Sequence, residues 1–418
     1  MNNPFITAEI PATTSLKKIA RIEVLDVLRG FALLGIFLMN IEYFNRPIQE
    51  FGQGIPAATV GLDYTIARLI EIFVTGKFWV LFSLLFGMGF VVMQTQLTQD
   101  GRPFEAIYLR RTAALMVFGL LHTAFLWPGD ILHSYALVAF VFMWLPFISV
   151  PANGFLGVGF YCAPAFMLLL SGLMSSSMTA DQVAAAAKDS ADTAELAMQA
   201  ARVYSAGDYW QVTQQRWQDF MLMLNYETFV FIGAFGIFLI GAGIMRSGRL
   251  LDLKGNRSFF LKAMAATAVM AAAFIGSAQL FSGEGMSDNE GMIADALMMF
   301  GNLPLSLFYL CTIAFAMSSA IGSKTLGLLA PAGKMALSNY LMQSLIASSV
   351  FYGYGLGLWA QWGRAHLALF VIMVFITQVI FSHLWLRYFR YGPMEWLWRA
   401  LTYWSLPAMR VDANRNFN

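Results

Sequence analysis

The clearest chemistry in the chain is carried by a few polar residues set among long apolar runs. His122 stands five residues before Trp127, in the turn Trp127-Pro128-Gly129; Asp130 follows that turn directly, and His133 comes three residues later. A Trp-Pro-Gly turn between two apolar runs makes an antiparallel helical hairpin, so the two imidazoles can face each other at similar depth. Asp130 and His133, at i and i+3, share one helical face. A carboxylate there can hold an imidazole tautomer and raise its basicity, which is what a general base and its orienter require. Each residue also has a plainer reading. His122 can bond a neighbouring helix, His133 can be wetted at an interface, and Asp130 can cap the helix it opens. Asn40 and Glu42 end the first apolar run and join the same polar level, with Asn40 suited to stabilise an oxyanion or position an acceptor.

A second polar level gathers at the other end of the runs. Asp26 and Arg29 are three apart at the start of the first run, and Arg110 with Arg111 begins the third. The plain reading is an i to i+3 ion pair anchoring a helix at the headgroups. The functional reading is an anion site able to meet the phosphates of a donor such as acyl-coenzyme A. Asn339 and Gln343, four apart, suit hydrogen bonding between helices or the lining of a substrate or donor path. Glu395 and Arg399 are spaced for an ion pair on an amphipathic segment. The catalytic candidates are thus His122, Asp130, Asn40 and His133. The donor- or substrate-binding candidates are Asp26, Arg29, Arg110, Arg111, Asn339 and Gln343.

What must position these groups is a membrane bundle. Of 418 residues 58% are hydrophobic and only 12% charged, which sets aside a soluble domain. A net charge of +2 provides no surface for nucleic-acid phosphates. The two cysteines, Cys162 and Cys311, lie inside apolar runs, so neither a disulfide framework nor a metal site is expected. A helix crosses the hydrocarbon core with about 20 apolar residues. Ten stretches qualify, near 25–44, 77–97, 111–127, 130–148, 155–174, 227–245, 259–281, 293–321, 335–354 and 366–388. With both termini cytoplasmic, the loops after the even spans carry Arg102, Arg110 and Arg111; Arg246, Arg249, Lys254, Arg257 and Lys262; Lys324 and Lys334; and Arg387 with Arg390, as positive-inside orientation requires. The loop near Val150 is the one uncharged exception.

The expected organisation is an all-α polytopic bundle. A cytoplasmic tail (1–24) leads into spans one to five (25–174). An extracytoplasmic helical insert (175–226) separates these from spans six to ten (227–388), and a cytoplasmic amphipathic tail (389–418) follows. Arg68 and Glu71 mark a further outer interfacial helix, and the outer loop 282–290 is acidic. Glycine pairs such as Gly87-x-Gly89 and Gly233-x-x-Gly236 argue close helix packing.

Five stretches carry a family resemblance. They are Arg21-Ile-Glu-Val-Leu-Asp-Val-Leu-Arg-Gly with Met39-Asn40; Leu81-Phe-Ser-Leu-Leu-Phe-Gly-Met-Gly-Phe; Gly119-Leu-Leu-His122 with Trp127-Pro-Gly-Asp130; Gly333-Lys-Met-Ala-Leu-Ser-Asn339-Tyr-Leu-Met-Gln343; and Gly392-Pro-Met-Glu-Trp-Leu-Trp-Arg399. Spread over nearly the whole chain, they resemble the YeiB-like family of bacterial membrane proteins, a domain of unknown function. The opening is more distantly similar to membrane acyltransferases, including the envelope O-acetyltransferases and the lysosomal heparan glucosaminide N-acetyltransferase. In those, Asp-x-Leu-Arg-Gly is followed after ten intervening residues by a His implicated in acyl transfer. Arg29 matches, but the His position is Asn40, and an amide is no general base.

The resemblance implies an inner-membrane, multi-pass protein that moves an acyl group from a cytoplasmic donor to an envelope, glycan, lipid or small-molecule acceptor. Acyl-CoA would be a co-substrate, with no permanently bound cofactor. Two other readings compete: a small-molecule transporter or efflux permease using the same polar groups as a path, and a non-catalytic membrane partner or sensor.

Overall fold

The computed structural model describes residues 22–145, 149–174, 180–281 and 288–411. Its elements run α1 (Glu23–Asn40), α2 (Gly61–Phe73), α3 (Lys77–Gln99), α4 (Phe104–Phe125), α5 (Leu132–Phe142), α6 (Val150–Met174), α7 (Ala180–Ala206) and α8 (Tyr209–Met223). They continue with α9 (Glu227–Arg246), α10 (Arg257–Gln279), α11 (Asp288–Met317), α12 (Ala320–Leu326), α13 (Ala330–Lys334), α14 (Ala336–Phe351), α15 (Arg364–Tyr388) and α16 (Pro393–Tyr403). Among the described residues there is no β-strand, only one isolated bridge between Phe389 and Arg410.

Seven helical stretches are long and apolar enough to cross a bilayer: Glu23–Phe44, Gly61–Gln99, Val150–Met174, Tyr209–Arg246, Arg257–Gln279, Asn289–Met317 and Arg364–Tyr388. Three expected spans fall outside that set for separate reasons. α4 is diluted by Arg110, Arg111 and His122, α5 is 11 residues long, and α14 is 16. A 16-residue helix rises roughly 24 Å, short of a hydrocarbon core about 30 Å thick.

α1 and α9 sit inside the bundle, and α10 and α15 border it. The main core joins α1, α3, α4, α5 and α9 through residues such as Leu28, Leu81, Met88, Tyr135 and Phe238. Helix contact there is backbone to backbone. A methyl on Gly87 would stand 2.1 Å from the Phe238 carbonyl oxygen, and one on Gly236 would stand 2.5 Å from that of Gly157. Glycine is what lets α3 and α6 close on α9. Gly89 and Gly233 face more open space, so only one member of each expected pair makes the close approach.

A helix does form around Arg68 and Glu71, α2, with an ion pair between those two residues, and it continues with α3 as one apolar helical stretch. The insert is two helices, α7 and α8. Asp208 opens α8 with a full capping box, its carboxylate accepting from the Trp210 and Gln211 backbone while the Gln211 side chain accepts from Asp208 N–H. Fully buried Arg216 fastens α8 to the bundle: its guanidinium donates to the carbonyl of Phe125, at the end of α4, and to the Tyr354 hydroxyl beyond α14. Of the acidic outer loop, 282–287 lies outside the described residues.

The expected pair of Glu395 and Arg399 is not formed. Glu395 Oε1 instead accepts from the backbone N–H groups of Leu337 and Ser338, at 2.7 and 3.0 Å, and Oε2 meets Ser338 Oγ at 2.5 Å. The carboxylate thus caps α14 across the chain, supplying acceptors to free N–H groups in its first turn. Arg399 stacks on the rings of Tyr391 and Tyr403. An unfilled helix start outcompetes an exposed i to i+4 pair.

Candidate functional site

α4 and α5 meet as the expected hairpin, and Asp130 in its turn collects both imidazoles. Its Oδ1 lies 2.8 Å from His122 Nδ1; its Oδ2 accepts from the His133 backbone N–H at 3.0 Å and lies 3.3 Å from His133 Nδ1. The capping and orienting readings of Asp130 are therefore both realised. Gly119 permits the approach, since a methyl there would stand 2.5 Å from His133 N and 2.8 Å from Asp130 Oδ2. His122 also ends its helix, its carbonyl accepting from the N–H groups of both Leu126 and Trp127. Trp127 turns inward to stack on Phe44, which fixes the turn against the end of the first span.

With Asp130 ionised, its contact with His122 Nδ1 fixes the tautomer. An ionised carboxylate only accepts, so His122 Nδ1 carries the proton that points to Asp130. That leaves Nε2 as the basic nitrogen. It is buried and has no hydrogen-bond partner among the described residues. His122, Asp130 and His133 are exposed by 2%, 5% and 6%, so the three side chains are shielded from bulk water.

Three residues not singled out from sequence complete the site. Tyr340, on α14, donates its hydroxyl toward Asp130 Oδ1 at 3.4 Å and sets its ring 5.0 Å from that of His122. Glu227, the first residue of α9, brings Oε2 to 3.5 Å from His133 Nε2, with Oε1 buried and unpartnered. Phe220 of the insert lays its ring edge-on to His133 at 5.1 Å. A continuous series His122–Asp130–His133–Glu227 results. With His133 Nδ1–H aimed at Asp130, His133 Nε2 has two neighbours, the Ser134 hydroxyl at 3.3 Å, which can donate to it, and Glu227 Oε2 at 3.5 Å.

The other candidates lie elsewhere. Asn40 is buried at the end of α1, and its amide makes no hydrogen bond to a described residue. Glu42 is taken up by ion pairs with Arg364 and Arg46. At the opposite end Asp26 and Arg29 form the i to i+3 pair at 3.1 Å. Arg111 rides 3.5 Å above the Trp398 ring, whose indole N–H donates to the Arg111 carbonyl, and Arg110 lies over Trp404. Arg111 is within electrostatic reach of both Arg29 and Arg399. Asn339 donates to Ala332 O and Ser382 Oγ, and Gln343 donates to Gln378, whose own amide donates to the Asn339 carbonyl. Those amides join α14 to α13 and α15.

Comparison with known proteins agrees with the pattern of motifs. Residues 244–405, from the end of α9 past α16, match the family model described as a protein of unknown function (DUF418). The uncharacterized protein YeiB of Escherichia coli (strain K12) is 32% identical over 398 residues, 90% of this chain and 95% of its own. The chain belongs to the YeiB-like family. A second member, the uncharacterized protein YxaH of Bacillus subtilis (strain 168), is 33% identical over 400 residues, covering 92% of this chain and 95% of its own. The family match takes in the capping contact between Ser338 and Glu395, and Tyr340 of the site, and it ends short of the α4–α5 hairpin on the amino-terminal side.

Proposed function

We propose that the chain is a membrane-embedded acyl transferase in which His122, held by Asp130, is the general base. The observation that carries this is the buried, unpartnered His122 Nε2 opposite an Nδ1 fixed on a carboxylate. An acceptor hydroxyl from the outer side gives its proton to Nε2 as its oxygen attacks the carbonyl carbon of an acyl thioester. The new C–O bond forms, the C–S bond breaks, and the departing sulfur takes that proton from the imidazolium. Asp130 stabilises the transient imidazolium, and His133 with Glu227 offers a second proton store. Asn40, its amide unbonded, is free to position the acceptor or the developing oxyanion. Arg29, held by Asp26, attracts a phosphate-bearing donor such as acyl-coenzyme A at the cytoplasmic end together with Arg110 and Arg111. Asn339 and Gln343 border the path between. From Arg111 to His122 is eleven residues of one helix, roughly 17 Å, so the donor must carry its acyl group on an arm of that length.

The topology we favour has ten spans with both ends cytoplasmic, in the inner membrane of a bacterium. Helices rather than a barrel, relatives from bacteria and positive loops support this. So does the reach of α14: its first turn is capped by α16, while Tyr352 just past its end packs its ring, tilted, against Tyr204 of the insert.

Purified protein in nanodiscs with radiolabelled acetyl-coenzyme A tests the reaction. Donor hydrolysis or transfer that disappears in His122→Ala is expected; absence of donor binding, hydrolysis and transfer overturns it. A second reading rests on the series ending in Glu227, whose unpartnered oxygen suits a proton relay coupled to transport of a small solute. Proton-dependent flux in proteoliposomes without donor turnover would favour that reading.

A further inference from the structure

Across the bundle from the histidines, two arginines converge on a small cleft. Arg102, in the connection between α3 and α4, and Arg399 of α16 both lie 4.8 Å from the centroid of one ring, Tyr403. Arg399 also lies over Tyr391. The cleft they border measures about 200 Å³, and Tyr391, Tyr403, Ser405 and Pro407 complete its lining. Its outer wall is a fixed strap. The Trp396 indole donates to the Pro407 carbonyl at 2.7 Å, Arg390 N–H donates to Met409 O, and Val411 N–H donates to Tyr388 O.

Charge in the cleft is unbalanced. Neither Arg102 nor Arg399 pairs with a carboxylate among the described residues. Two guanidinium charges held over one ring repel each other, and a single ring face cannot engage all five N–H donors of each. Guanidinium N–H forks bind a phosphate in bidentate fashion, and both of these guanidinium side chains line the cleft. The volume is below the ~300–1,000 Å³ of pockets that enclose a whole drug-sized ligand, so it admits a headgroup, not a nucleotide. Alongside, α16 and the strap expose Leu397, Leu401, Trp404 and Leu406, an apolar border where an acyl chain can run.

We infer that this cleft is a binding site for a phosphate-bearing group, either the headgroup of an anionic phospholipid or a soluble phosphate ester. The site stands independently of acyl transfer at His122. The whole protein is reconstituted into nanodiscs of phosphatidylcholine with and without phosphatidylglycerol, and bound lipid is counted by native mass spectrometry. Inorganic pyrophosphate is titrated calorimetrically into the phosphatidylcholine discs. Wild type is expected to bind at least one probe, with affinity falling about tenfold or more in Arg399→Gln and in Ser405→Asp. Phosphatidylglycerol retention alone marks a lipid headgroup site; pyrophosphate binding marks a soluble ester. Because Arg399 also packs on two rings, Ser405→Asp at an exposed lining position decides the matter if Arg399→Gln fails to fold. No binding of either probe by wild type, or equal binding by wild type and Ser405→Asp, overturns the inference.

Discussion

At the scale of single residues, the difference between a catalytic histidine and a packed one lies in what each ring nitrogen meets. His122 spends Nδ1 on Asp130 and keeps Nε2 free, so its two nitrogens have separable roles. Asp130→Asn keeps the shape but can turn an N–H toward the imidazole, forcing the proton onto Nε2 and removing the base. Acyl transfer should fall by about 10²–10⁴ in this variant and in His122→Ala, measured as turnover of labelled donor. The fold should lose only about 1–3 kcal/mol, read from thermal unfolding, because the bonds lost are few. Glu395 provides a pH test away from the site. Burial pushes its carboxyl up, against the lowering by the Ser338 and Leu337 donors. A raised carboxyl favours the protonated group in the fold, so its contribution is full below the ordinary carboxylate range and is lost as pH rises through the raised value. Detergent-solubilised wild type should therefore lose stability relative to Glu395→Gln as pH climbs out of the mildly acidic range. A difference that does not change with pH would show that the carboxyl is not displaced.

At the scale of elements, the sequence made the hairpin legible because a Trp-Pro-Gly turn and an Asp at i−3 from a His are local signals. The partners that complete the site come from afar. Tyr340 is 210 positions from Asp130 and Glu227 opens a helix on the far side of the insert, so no spacing rule reaches them. One signal was present: an acidic residue at the head of an apolar run is costly unless partnered, and Glu227 is such a residue. The Glu395–Arg399 pair was misjudged for a related reason, since local spacing cannot see the uncapped start of α14. The closeness of α4 to α5 makes a prediction of its own. A methyl at Gly119 meets His133 N and Asp130 Oδ2, whereas one at Gly154 on α6 meets nothing within 4 Å. Gly119→Ala should cost about 1–3 kcal/mol by overpacking and abolish transfer, while Gly154→Ala should match wild type. Melting temperature and turnover, taken on both variants, check this together.

For the whole molecule, the helices that miss the length and hydropathy of a span carry three of the site's groups: α4 carries His122, α5 carries His133, and α14 carries Tyr340. Polar residues and short length, the marks of function, are also what hide a span from hydropathy. Their consequence for topology is one of parity. α4 and α5 form a hairpin, so whether both cross or neither does, the insert stays on the side opposite the amino terminus. α14 is single, and if it does not cross, the carboxy-terminal segment moves to the outside. With Cys162 and Cys311 replaced by Ser, single cysteines at three exposed positions decide whether α14 crosses: Met198 in the insert, Lys254 after α9 and Leu406 after α16. Labelling of intact cells with a membrane-impermeant maleimide should modify Met198→Cys and spare Lys254→Cys and Leu406→Cys. Outside labelling at Leu406→Cys would remove α14 as a span. It would also place the arginine cleft of α16 on the outer side, where the phosphates of cytoplasmic donors do not reach it.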